Sequence, residues 1–279
     1  MPRFFLLLLA ACCLAASLPS PILALSLDDR EARLDLDCLR EAYPGLVEDL
    51  EPGDEGALVL RLSDGTRILY DDGARDRTQA QMLEAPSMRE AMALPYRPGP
   101  ADPAAPLPAS GDSPGRRRVQ AFFQAAYGKD KREVGAALTA IPFAGTSLSF
   151  NARHGAAAAL QRAGARLARI LEEKPELRRE VFPAMAGMYW RPVAGTDRLS
   201  LHAFGVAVDL APRRHVYWRW NGNKAEAARQ IAAFPPEIVA AFEDNGFIWG
   251  GKWAKYDLMH FEYRPELLCK ARRLRNGVR

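Results

Sequence analysis

The sequence predicts an α+β fold with a small, mostly antiparallel sheet flanked by helices. Three observations carry the prediction. Short apolar runs with strand character ("MYWRPV", "GVAVDLA", "GFIWGG" and "MHFEYR") fall between residues 188 and 264. Longer stretches, such as "GAAAALQRAGARLARILEE" at 155–173, carry apolar residues at helical spacing. The two kinds mix without the regular strand–helix–strand rhythm of a parallel sheet, and there is no internal repeat and no phosphate-cradling glycine motif.

The chain opens with "MPRFFLLLLAACCLAASLPSPILALS", in which Arg3 precedes an apolar run and a small-residue site, Ala24-Leu25-Ser26. That layout predicts a secretory signal over 1–26, cleaved after Ser26 to give an exported protein, periplasmic or secreted. The run is too short, and broken too soon by Ser and Pro, for a good membrane span, so no transmembrane segment is expected after cleavage. A second reading is a lipoprotein signal ending in "LAAC", with Cys12 acylated, although only eleven residues precede that cysteine. Without Arg3 the net charge falls from +4 to +3, too weakly basic to argue for nucleic acid. A monomer is expected.

Residues 27–94 form a first block of unassigned role. "LDCLREAYPG" predicts a short helix stopped at Pro44-Gly45, and "ALVLRLSDGTRILYDDG" a hairpin around Asp64-Gly65. Seven prolines between positions 95 and 114 then mark a loop or linker over 95–116. The remaining unit, 117–279, starts with the amphipathic "RVQAFFQAAYG" and includes a strand candidate, "TSLSF". A long helix follows, split near Pro175, and a shorter one, "PPEIVAAFEDNG", starts at prolines and stops at Asn245-Gly246. The basic end "KARRLRNGVR" reads as a solvated, frayed terminus or as a contact for an anionic polymer. Beyond the signal only Cys38 and Cys269 remain. They could form one disulfide in an oxidising compartment, but they do not make a metal site.

Two of the chain's four histidines stand in "SLHAFGVAVDLAP" and "KWAKYDLMHFEYRP". His202 precedes a strand-like run, and Asp209 stands at its end beside the small Gly205 and Ala207. His260 opens another strand. Two imidazoles and a carboxylate suit catalytic zinc with one position left open, and Asp257, three residues before His260, could serve as a general base. Glu262, on the same strand face as His260, competes for that part. The alternative is a set of ordinary structural histidines, because such spacings also arise by chance. His154 and His215 fit no pattern.

"SLHAFGVAVD" and "GFIWGGKWAKYDLMHFEYRPEL" together resemble the two signatures of the M15 zinc peptidases. These include D-Ala-D-Ala carboxypeptidases, vancomycin-resistance dipeptidases and L-alanyl-D-glutamate endolysins. The likeness covers about 140–268 and leaves 27–139 without a borrowed role. It implies that His202, Asp209 and His260 hold one Zn2+ per chain and that Asp257 is the base, where some relatives carry Glu. It also implies an upstream arginine for substrate and oxyanion, Arg191 first and Arg198 second. Ser200, Trp253 and Glu262 are candidate substrate contacts. The implied partners are the peptide stems of peptidoglycan, cut by a carboxypeptidase or endopeptidase. The rival is a wall-binding protein that keeps the fold and has lost catalysis. Only forty-seven residues separate Asp209 from Asp257, enough to wall a cleft but not to seal it. That favours stems still attached to glycan over free dipeptides.

Overall fold

The computed structural model describes residues 29–93, 96–101, 113–193, 196–210, 216–220 and 222–277. The expected signal, Cys12 and His215 lie outside those residues. Helix α1 (Arg30–Ala42) begins where Asp29 accepts a hydrogen bond from the Glu31 N–H at 2.9 Å. Strands β1 (Val47–Pro52), β2 (Leu58–Leu62) and β3 (Arg67–Asp71) then form an antiparallel sheet in that order. The predicted hairpin is its β2–β3 half. Alternation buries Leu58, Leu60, Leu62, Ile68 and Tyr70 in the core and turns Arg61 and Arg67 outward.

Two short helices, α2 (Gln79–Glu84) and α3 (Met88–Ala93), lead to the proline-rich stretch. Its described residues do not form a detached spacer. Tyr96 is buried, and its hydroxyl accepts from the Trp249 N–H at 2.9 Å. Helices α4 (Gln120–Tyr127) and α5 (Lys131–Ala136) precede a hairpin of β4 (Leu138–Phe143) and β5 (Thr146–Asn151). Helix α6 (Ala156–Glu173) packs under that hairpin with its alanine and leucine face. Pro175, which lacks the N–H a helix interior needs, separates it from α7 (Arg178–Val181).

The second antiparallel sheet runs in the order β6 (Ala184–Ala186), β7 (Ala207–Leu210), β9 (His260–Tyr263), β8 (Phe247–Trp249). Helices α8 (Lys224–Ala232), α9 (Pro236–Glu243) and α10 (Pro265–Arg275) complete the chain. Val208, Phe242, Phe247, Trp249 and Phe261 are buried behind this sheet, with the Phe242 and Phe261 rings stacked at 4.1 Å. The architecture is α+β with small antiparallel sheets flanked by helices.

Two expectations need correction. "MYWRPV" is not a strand. Pro192 cannot donate to a ladder, and Tyr189 N–H is already given to the His202 carbonyl at 3.0 Å, so the chain runs as a loop beside the site with Ala184–Ala186 as the strand instead. The C-terminal segment is not frayed over its described length. It is helical to Arg275, with Leu267, Leu268 and Cys269 buried against α1 and a Cys38–Cys269 disulfide joining the two helices.

Candidate metal centre

Ser200 starts the local structure that positions the first ligand candidate. Its hydroxyl accepts from the His202 N–H at 3.4 Å and caps a single 3-10 turn, Leu201–Phe204. Gly205 ends that turn at φ +66°, and a Cβ there would lie 2.6 Å from the Leu138 side chain. Asn151 locks the turn from behind: its Nδ2 donates to the Tyr127 and Phe204 carbonyls at 3.1 and 3.0 Å. The chain then enters β7, where the register brings Asp209 directly opposite His260 and Ala207 opposite Glu262. Opposite residues in an antiparallel pair share a face, so Asp209, His260 and Glu262 stand together.

His202, Asp209 and His260 each offer a ligand atom, and these atoms lie within 4.8 Å of one another. His202 Nε2 and His260 Nδ1 approach Asp209 Oδ1 at 3.2 and 3.0 Å, and His260 Nε2 meets Glu262 Oε2 at 3.0 Å. The two imidazoles are almost fully buried, whereas the Asp209 side chain is 22 % exposed, so the approach is from the carboxylate side. Burial opposes a charge on His260, but hydrogen bonds to Asp209 and Glu262 overcome it and push the imidazole up to about 9. Burial likewise disfavours the Asp209 anion. Hydrogen bonds from His202 and His260 reverse that and hold the carboxyl far below its usual range.

The His260 ring thus stands between two carboxylates, with Nδ1 facing Asp209 and Nε2 facing Glu262. A cation held at Nδ1 would leave the Nε2–Glu262 hydrogen bond in place, the usual means of orienting a ligating imidazole. His202 Nδ1 is buried and makes no hydrogen bond within the protein. Donor type, number and convergence fit a divalent metal.

Asp257 lies beside this group. Burial pushes its carboxyl up, against the nearby His260 and Arg116 charges. Oδ2 accepts from Arg116 Nη2 at 3.3 Å, while Oδ1 is buried and makes no hydrogen bond within the protein. Tyr217 forms a backbone bridge with Asp257, and His260 N–H donates to the Asp257 carbonyl at 3.2 Å.

The other expected residues divide. Arg191 is exposed, its carbonyl accepting from the Ser200 N–H at 3.1 Å. Arg198 is 15 % exposed at its side chain and donates to the Arg116 carbonyl at 2.9 Å. Ser200 caps the turn. Trp253 and Glu262 are closed to a substrate, correcting the contact expected of them. The Trp253 ring packs 5.6 Å from the His260 ring, and Glu262 is buried between His260 and Arg264. His154 is packed between the Tyr43 and Tyr127 rings.

Arg116 was not identified as a site residue from the sequence. The only sign of it was the basic triplet closing "SPGRRR", within a stretch read as a loop.

Residues 194–263 match the model of an M15 peptidase family described as D-alanyl-D-alanine carboxypeptidase. No curated protein and no solved structure matches the chain. Among the described residues, no helix is long and apolar enough to cross a membrane.

Proposed function

We propose that the protein is an exported zinc peptidase acting on the peptide stems of bacterial cell wall, a reading supported by the match of residues 194–263 to an M15 peptidase family model. One observation carries the reading. The His202, Asp209 and His260 donors converge beside a buried carboxyl, Asp257, that has one oxygen tied to Arg116 and the other without a hydrogen bond in the protein.

His202, Asp209 and His260 would hold one zinc ion per chain. Zinc in such a set supplies Lewis acidity toward a peptide carbonyl and toward water. Asp257 Oδ1 takes the proton of the attacking water and passes it to the departing amine. A positioned base of this kind contributes roughly a hundred- to ten-thousand-fold. Its buried setting suits the role, since a carboxyl raised from its ordinary value is a better proton acceptor. Glu262 fixes the His260 ring from behind. Arg191, whose side chain is exposed, would meet the negative charge of the stem. The short stretch between Asp209 and Asp257, enough to wall a cleft but not to seal it, favours stems still attached to glycan.

The test is to offer the zinc-loaded protein isolated sacculi and free D-Ala-D-Ala, with and without a chelator, and to read muropeptides by mass spectrometry. New muropeptides that vanish with the chelator are expected. No product, or product indifferent to the chelator, removes the reading. Rapid cleavage of the dipeptide alone narrows it to a dipeptidase.

A further inference from the structure

Behind the metal group lies a buried chain of side chains that reaches from β9 to the N-terminal block. Glu262 turns Oε2 to His260 Nε2 at 3.0 Å, and its other oxygen, Oε1, accepts from Arg264 Nη1 at 3.3 Å. Arg264 Nε donates in turn to Glu266 Oε1, and Glu266 Oε2 accepts from the Tyr43 hydroxyl at 2.8 Å. None of the four side chains is more than 2 % exposed. Tyr43, Arg264 and Glu266 all fall outside the matched residues 194–263, and Tyr43 stands 223 positions before the carboxylate it meets.

Each link is held in place by packing. Tyr43 ends α1, and its ring meets those of Phe122 and His154 edge-on at 4.8 and 5.6 Å. The Arg264 guanidinium lies over the Phe123 ring, 5.2 Å from its centroid. The Cys38–Cys269 disulfide and the Lys270–Asp35 pair pin α1 to α10, which fixes Tyr43 against Glu266.

The charges alternate along the chain, and each of the four carboxylate oxygens has a partner of its own. A buried oxygen that loses its donor is costly, so the network responds as a unit. Without the Tyr43 hydroxyl, Arg264 is the donor left to Glu266 among the hydrogen bonds described. The guanidinium then turns toward Glu266 and away from Glu262, whose contact is the longest link in the chain. Glu262 in turn loses the restraint that aims it at His260 Nε2.

We propose that Tyr43 is a positioning residue for the metal group. Through Glu266, Arg264 and Glu262 it sets the orientation of the His260 ring, which makes the N-terminal block a working part of the site. This rests on the zinc peptidase reading.

The test compares Tyr43→Phe, Glu262→Gln and the double variant in the full chain, with zinc affinity measured by chelator competition at one pH. Tyr43→Phe keeps the ring and its packing and removes only the hydroxyl. It should weaken zinc about three- to ten-fold, less than the ten- to a hundred-fold of a direct partner, and shift the visible spectrum of the cobalt-loaded protein. In the Glu262→Gln background the same change should cost nothing further, because the path to His260 is already cut. Cys38→Ser/Cys269→Ser loosens the helix pair without touching the chain of hydrogen bonds, so the folded variant should keep its zinc affinity. Unchanged affinity in Tyr43→Phe, losses that simply add in the double variant, or an equal loss in the disulfide variant each overturn the proposal. If the wild type takes up no zinc, the peptidase reading falls and the metal-free chain decides. Nitrogen NMR of the His260 ring should then differ between wild type and Tyr43→Phe, but not between Glu262→Gln and the double variant. Identical ring signals in wild type and Tyr43→Phe overturn the positioning role as well.

Discussion

At the scale of single residues, His260 is held between two carboxylates, and each partner can be separated from the others by substitution. Glu262→Gln keeps the shape behind the ring but removes the charge that orients it. Zinc affinity should fall about ten- to a hundred-fold, measured by competition with a chelator. Unchanged affinity would show that the ring is oriented by packing alone. Asp257→Asn should behave differently. It keeps size and hydrogen bonding to Arg116, so zinc content should stay full while kcat falls by about two orders of magnitude or more. Full activity in this variant would remove Asp257 from the chemistry. These residues were legible in the sequence because each sits in a short motif, where a few positions of spacing fix a shared strand face. Arg116 was not, since it stands 141 residues before the carboxyl it touches.

At the scale of elements, the 3-10 turn before β7 decides where His202 points. Gly205→Ala puts a side chain on a backbone at φ +66° and drives its Cβ toward Leu138. We expect a loss of about 1–2 kcal/mol, from the left-handed conformation alone, as a lower denaturant midpoint with unchanged slope. Zinc affinity should fall with it. A variant as stable as wild type would mean that the turn relaxes at little cost. The sequence marked most of these elements, including α1, α6, α9, the β2–β3 hairpin and strands β5, β7, β8 and β9. It missed β1, α2, α3, α5, β4, β6, α8 and α10; a three-residue strand leaves no periodicity to read, Pro142 lies inside β4, and six-residue helices are too short to show a repeat. It mistook "MYWRPV" for a strand on its aromatic content, where proline and the Tyr189–His202 hydrogen bond prevail.

At the scale of the whole molecule, α1 and α10 clamp the ends of the described chain together. Tyr43 donates to Glu266 at 2.8 Å, Lys270 reaches Asp35 at 2.6 Å, and the disulfide spans 231 residues. A bridge closing so long a loop contributes about 5 kcal/mol in the chain-entropy model. Peptide mapping of the oxidised protein should recover Cys38 linked to Cys269, and Cys38→Ser/Cys269→Ser should unfold at a clearly lower temperature. Free thiols at both positions would refute the pairing. Near the same clamp, Arg89 gathers Asp29, Glu31 and Asp71. Burial alone would raise these carboxyls, but hydrogen bonds and charges from Arg89 and its neighbours Lys270 and Arg75 leave all three lowered. Lowered groups stabilise the fold above their unfolded values, near pH 4, and lose that contribution as pH falls further. Arg89→Met should therefore be less stable than wild type at pH 7, with the gap shrinking toward pH 3. A gap that grows in acid would contradict the assignment.

By itself the sequence determined the α+β class, the metal-ligand candidates His202, Asp209 and His260, and the base candidate Asp257, because these depend on local spacing and strand alternation. Only the tertiary structure decided that Asp209 and His260 face each other in register, that Trp253 and Glu262 are sealed behind the site, and that α10 is docked rather than frayed. It also decided that a proline-rich stretch ends with an arginine on the candidate base. Those outcomes depend on which distant surfaces meet, and contact between residues far apart in the chain is set by packing, charge and chain closure, none of which leaves a local pattern.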